Sequence, residues 1–181
     1  LDYLPALGIK GLWLMRINAS ADHDRGYAVT DYRAIEPAYG TLADFDELVR
    51  QAHARGIGIV IDYVINHSSK LNPLFVQSAS SRSSPWRDWY VWEDTKPAGW
   101  RIFDLDPWTM TPNGAYFAQF GPDMPDFNLR NPAVVAYHLD SLRFWLNHGV
   151  DGFRIDAVGH LFENGKDGWS MQPENYPFLA R

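Results

Sequence analysis

The chain has 181 residues, 46% hydrophobic and 21% charged, with no cysteine and a formal net charge of −6. These figures describe an ordinary globular core, exclude disulfides and thiolate metal sites, and argue against a nucleic-acid partner, because phosphate binding needs a basic face. No stretch is long and apolar enough to span a membrane, and a cysteine-free chain suits the cytoplasm as well as a secreted or periplasmic setting.

Leu1-Asp2-Tyr3-Leu4 reads as the middle of a helix, so the chain is expected to be part of a longer protein. Ile9 to Ile17 is a short apolar run after a glycine, predicted as a buried strand. After a polar loop, Thr41 and Asp44 make a capping box. It predicts a helix from Leu42 to Arg55 with Phe45, Leu48, Val49 and Ala52 on one face, stopping at Gly56. Gly58 to Val64 is a second apolar strand, broken by one charge at Asp62.

Residues 68–130 are rich in serine, proline, glycine and tryptophan and read as an insertion. Trp86, Trp89, Tyr90, Trp92, Trp100, Phe103 and Trp108 crowd there, and packing is favoured over sugar-binding platforms by roughly two to one. Asn131-Pro132 opens the next helix, with a stripe of Val134, Val135, Leu139, Leu142 and Leu146 ending at Gly149. Val150 to Val158 is a third strand. This order predicts an α/β fold with a parallel sheet. No glycine-rich phosphate loop follows a strand, which weakens an open doubly wound sheet. Three strands cannot close a barrel.

Two of the strands carry charge near the same end. Asp62 is followed by Asn66 and His67, and Arg154 and Asp156 by His160. Residues two apart on a strand share a face, so Arg154 and Asp156 point the same way. An arginine beside a carboxylate favours its ionised form, which a nucleophile in glycoside chemistry requires. A lone pair would be read as a tie across the sheet. With Asp62, His67 and His160 at the same edge, a functional site is the stronger reading. A His/Asn/Asp set is a poor zinc site, and oxygen donors suit calcium.

Four segments then resemble the α-amylase family of glycoside hydrolases, in the right order and with similar spacing. They are Gly26-Tyr27-Ala28-Val29-Thr30-Asp31-Tyr32, Asp62-Tyr63-Val64-Ile65-Asn66-His67, Met124-Pro125-Asp126-Phe127-Asn128 and Gly152-Phe153-Arg154-Ile155-Asp156-Ala157-Val158-Gly159-His160. The third is similar to the group intermediate between oligo-1,6-glucosidases and neopullulanases. The resemblance implies part of a (β/α)₈ barrel, about strands 2 to 4. Residues 1–67 and 131–181 would be barrel and 68–130 an inserted B domain. It makes Asp156 the nucleophile of a retaining enzyme and Arg154 its orienting partner. It gives Tyr27, Asp62, His67 and His160 to the sugar. Asn66, Asp126 and the His160 carbonyl match ligands of a structural calcium ion, and no organic cofactor is expected.

The implied function is cleavage of α-1,4-glucosidic bonds in starch or maltooligosaccharides by a monomeric parent. A trehalose synthase-like or sucrose-using transferase or isomerase is the alternative, and a non-catalytic barrel subunit comes third. Two residues depart from the pattern. Gly159 stands where α-amylases often have lysine. Ala28 stands where exo-acting α-glucosidases carry an aspartate that grips the non-reducing end. The family's general acid belongs to a later strand, so the chain alone is expected to be inactive.

Overall fold

The computed structural model describes residues 1–21 and 26–180. In chain order its elements are α1 (Tyr3–Ala6), β1 (Gly11–Leu14), β2 (Asn18–Ser20), β3 (Val29–Ile35), α2 (Leu42–His53), β4 (Gly58–Val64) and α3 (Pro73–Ala79). Then come β5 (Trp92–Glu93), β6 (Trp108–Thr111), β7 (Gly114–Phe117), α4 (Pro132–Asn147), β8 (Gly152–Asp156) and α5 (Asn175–Leu179). Three strands form a parallel sheet in the order β1-β4-β8, with Asp62 opposite Arg154 and Val64 opposite Asp156. This is the parallel α/β arrangement that the element order predicts.

The central strand β4 is built from Ile59, Ile61 and Tyr63, all without measurable exposure, and the core gathers around it. Helix α2 begins where its capping box dictates. The Thr41 hydroxyl accepts from Asp44 N–H at 3.2 Å, and the Asp44 carboxylate accepts from Thr41 N–H at 2.8 Å. Such a cap stabilises a helix by about 1 kcal/mol. The Asn131 side chain caps α4 in the same manner.

Three expectations change. The run from Ile9 to Ile17 is not one strand: β1 ends at Leu14, Arg16 turns the chain at φ 43°, and β2 pairs antiparallel with β3. The last strand stops at Asp156, because Ala157 is left-handed at φ 54°. Helix α4 buries Val134, His138, Ser141 and Trp145, while Leu139 and Leu146 of the predicted stripe are exposed. Polar side chains face inward because the core supplies partners. Tyr63 Oη lies 2.9 Å from His138 Nδ1, and the Ser141 hydroxyl accepts from Arg33 Nε of β3 at 3.2 Å while donating to the Tyr137 carbonyl one turn back.

Within residues 68–130, β5, β7 and β6 form a small antiparallel sheet with its own apolar cluster of Ile102, Trp108, Ala115 and Phe117. Tyr90 and Trp108 are buried, so packing accounts for these two. Phe103 is the exception at 55% exposure, and its ring lies 5.7 Å from His160. The segment is tied to the root of β4 by main-chain bonds. Phe127 N–H donates to the Asn66 carbonyl at 2.9 Å, and Ser68 N–H to the Pro125 carbonyl at 3.2 Å.

Candidate active site

The carboxyl ends of β4 and β8 assemble the charged residues that sequence singles out. One nitrogen of Arg154, Nη1, donates to Asp62 Oδ1 at 3.0 Å and to Asp156 Oδ1. Register places these groups together: Asp62 and Arg154 are partners across the sheet, and Asp156 lies two residues further along β8. The Asp62 side chain is fully buried, whereas those of Asp156 and Arg154 keep 17% and 42% of their exposure. Burial raises the Asp62 pKa, outweighing the hydrogen bond and charge of Arg154. The indole of Trp13 on β1 supports the guanidinium, 5.4 Å from ring centroid to carbon.

His67 is buried directly behind this pair. Burial lowers its pKa to about 4, with only partial offset from the Asp156 charge and the Tyr27 main chain. It is therefore a neutral imidazole at pH 7. Its Nδ1 pairs with Asn66 Oδ1 at 2.9 Å, and the Tyr32 hydroxyl holds its carbonyl at 2.5 Å. Tyr27 is half-buried and carries the guanidinium of Arg16 on its ring, 4.3 Å from the centroid.

A second polar cluster joins the insertion to the loop after β8. Asn66 Nδ2 donates to Asp126 Oδ2 at 3.2 Å and to the His160 carbonyl at 2.5 Å. Gln119 Nε2 donates to the same two acceptors at 2.5 and 2.8 Å, and its oxygen meets His160 Nδ1 at 3.1 Å. Burial pushes the Asp126 pKa well up, because amides rather than a cation surround it. Among the described residues no three histidine or acidic side chains converge as metal ligands. The oxygen donors nevertheless fit a hard cation such as calcium. A half-turn of the Asn66 and Gln119 amides would present their oxygens to Asp126 and the His160 carbonyl, with their nitrogens donating to His67 and His160 Nδ1.

The predicted residues thus meet in two adjacent clusters, one holding Asp62, Arg154 and Asp156, the other Asn66, Asp126 and His160. Sequence reasoning misses Arg16, Gln119, Trp13 and Phe120, whose ring lies 5.1 Å from His67 and 5.4 Å from His160. Arg16 carries a legible signal, a charge ending an apolar run. Gln119 carries none.

The model for "Alpha amylase, catalytic domain" matches residues 1–179. Alpha-amylase 3 of Dictyoglomus thermophilum is 43% identical over 179 residues, covering 99% of this chain and 35% of that protein. The trehalose synthase/amylase TreS of Mycobacterium tuberculosis is 41% identical over 189 residues, covering 100% of this chain and 31% of its own length. The crystal structure of Bacillus licheniformis trehalose-6-phosphate hydrolase superposes with a TM-score of 0.92 at 32% identity, over 98% of this chain and 35% of that one. The chain thus spans about a third of the length of these relatives.

Proposed function

The chain belongs to the α-amylase catalytic-domain family, and from that premise we propose that it carries the nucleophile of a retaining enzyme acting on α-glucosidic bonds. Residues 1–67 and 131–181 would be part of the barrel and 68–130 the inserted domain. Asp156 attacks the anomeric carbon and forms the covalent glycosyl-enzyme. Arg154 keeps its carboxylate oriented. His67, held neutral, hydrogen-bonds the sugar, Tyr27 stacks beneath it, and Asp62 and His160 line the same subsite. The observation that carries this reading is the single Arg154 nitrogen shared by Asp62 and Asp156 at the ends of adjacent parallel strands.

Retention needs a second carboxyl about 5 Å from the nucleophile, across the scissile bond. Asp62 meets Asp156 through one guanidinium nitrogen and so does not flank a bond from the opposite side. The general acid is accordingly assigned to a strand beyond these residues, and the chain by itself to an inactive state.

Hydrolysis is the first reading, supported by 43% identity to an alpha-amylase, and we propose α-1,4 bonds of starch or maltooligosaccharides as its substrate and a monomeric parent. Transfer or isomerisation is the second, favoured by 41% identity to a trehalose synthase/amylase. A non-catalytic role is disfavoured because Asp156, Arg154, His67 and Tyr27 are all present. Asn66, Asp126 and the His160 carbonyl would hold calcium, whose charge would fasten the insertion to the loop after β8.

The test is to trap the full-length protein with a 5-fluoroglucosyl fluoride and map the adduct by mass spectrometry. A glucosyl ester on Asp156 is expected, and no adduct, or one elsewhere, would refute the assignment. Products from maltooligosaccharides then separate hydrolysis, which gives shorter oligosaccharides and glucose, from transfer, which gives new linkages.

A further inference from the structure

Arg16 has no role in the site as described so far. It stands just past the carboxyl end of β1, as Asp156 stands at the end of β8, with β4 between them. Its backbone is left-handed at φ 43°, a conformation that a long side chain keeps only where its surroundings hold it. Gly26 passes close beside it. A Cβ at Gly26 would lie 2.8 Å from Arg16 Cβ and 3.3 Å from its carbonyl, so only glycine lets the two stretches pass. The neighbouring Tyr27 ring then takes the guanidinium on its face. The Arg16 charge reaches Asp62, whose pKa it lowers as a minor influence. Among the described residues, no carboxylate lies within ion-pair distance of Arg16. A guanidinium stacked on a ring keeps N–H groups at its edge for another acceptor.

We propose that Arg16 is a specificity-determining residue of this site, its guanidinium donating to O4 or O6 of the glucosyl ring whose C1 faces Asp156. The inference rests on the retaining reading above. Sheet order gives the scale. Strands lie about 4.8 Å apart, so the ends of β1 and β8 are separated by about 10 Å, roughly a pyranose ring with one contact at each side. A ring laid along that span with C1 at the β8 end would put O4 and O6 at the β1 end, beside the Arg16 guanidinium, and would stack on the Tyr27 face that the guanidinium leaves open.

The sign of the group matters as much as its place. An aspartate after the Gly-Tyr pair would accept a proton from a free hydroxyl at a chain end. Ala28 removes that acceptor. A guanidinium only donates, and an O4 already in a glycosidic bond, with no proton to give, still accepts. Arg16 thus lets the subsite hold a glucosyl unit inside a chain as well as one at its end.

The test uses the full-length protein and Arg16→Met, which keeps length and bulk but removes the donors. Each is assayed for kcat/KM on an aryl α-glucoside and on its 4,6-dideoxy analogue, which lacks O4 and O6 on the reacting ring. The substitution is expected to lower kcat/KM on the parent about 10- to 100-fold, the size of one charged hydrogen bond. On the deoxygenated analogue it should change it less than about 3-fold, and Arg16→Lys should recover part of the loss. Equal losses on both substrates, or none on either, overturn the inference and leave Arg16 a support for Tyr27. If Arg16→Met melts early, Arg16→Gln is put through the same comparison. Wild-type protein that neither turns over the glucosides nor labels at Asp156 defeats the retaining reading itself, and the inference with it.

Discussion

Two buried carboxylates sit at the same end of the sheet, and they meet different kinds of partner. Asp62 accepts from Arg154, a permanent cation that also reaches the half-open Asp156. Asp126 is surrounded by the amides of Asn66 and Gln119, neutral donors that also hold the His160 carbonyl. A shared cation holds its two carboxylates in a fixed mutual orientation. Amides make a joint whose cost of burial is offset only while the acid is protonated or a cation is present. In the proposed reading the first cluster reacts, and the second ties residues 68–130 to the loop after β8.

The largest effect that would break this division is on the proposed nucleophile. Asp156→Asn should lower kcat of the full-length enzyme on the order of 10⁴-fold or more, with thermal unfolding nearly unchanged, because its side chain is partly open to solvent. A large loss of melting temperature would move Asp156 into the structural class. Arg154→Met comes next. It disturbs both carboxylates and strands Asp62 without a cation. We expect a drop in kcat on the order of 10²-fold. Stability measured by denaturant unfolding should fall by about 1 to 3 kcal/mol, below the figure for a fully buried pair because Arg154 is 42% exposed.

Much of this was legible in the sequence for definite reasons. Thr41-Asp44, Asn131-Pro132 and Gly149 are local signals: the first two start helices and the third follows the end of one. Asp62, Arg154 and Asp156 are readable because a charge in an apolar strand is rare and two strands show it at the same end. The inward face of helix α4 is less legible because it includes His138 and Ser141, whose partners Tyr63 and Arg33 are brought to them only by the fold. The β2–β3 hairpin hid in a polar stretch whose pairing depends on contacts distant in sequence. Gln119 is invisible for a similar reason. Its partners, Asp126 and His160, lie 7 and 41 residues away and meet it only through the fold. The departure at Gly159 does acquire a physical account: a Cβ there would lie 2.8 Å from Met171 Sδ, so a lysine would have to displace that side chain.

The amide-held cluster gives the next test. If Asp126 helps hold calcium, chelation should lower the melting temperature of the wild type, and Asp126→Asn should be insensitive to chelator. At 100-fold excess over the dissociation constant a bound ion stabilises by about 3 kcal/mol, enough for a shift of a few degrees. Identical curves with and without chelator in the wild type would show that the amides alone make the joint.

The smallest effect distinguishes the clusters by pH. His138 and His67 are buried with pKa values lowered to about 3 and about 4, against about 6.5 when unfolded. Between those limits the unfolded chain takes protons that the folded one refuses. Their contribution to stability is therefore complete above about pH 6.5 and is lost as pH falls toward 4 and then 3. Each histidine supplies at most about 1.4 kcal/mol per pH unit. Asp126 acts in the opposite sense. Its folded pKa is raised, so without a cation its burial costs stability above the unfolded carboxylate range, and that cost is relieved as pH falls. In chelator, Asp126→Asn should steepen the acid loss seen in denaturant titrations, while His138→Asn should flatten it. If both variants keep the wild-type slope, neither buried group titrates with folding, and the charge of Asp126 must be balanced by a partner other than its amides.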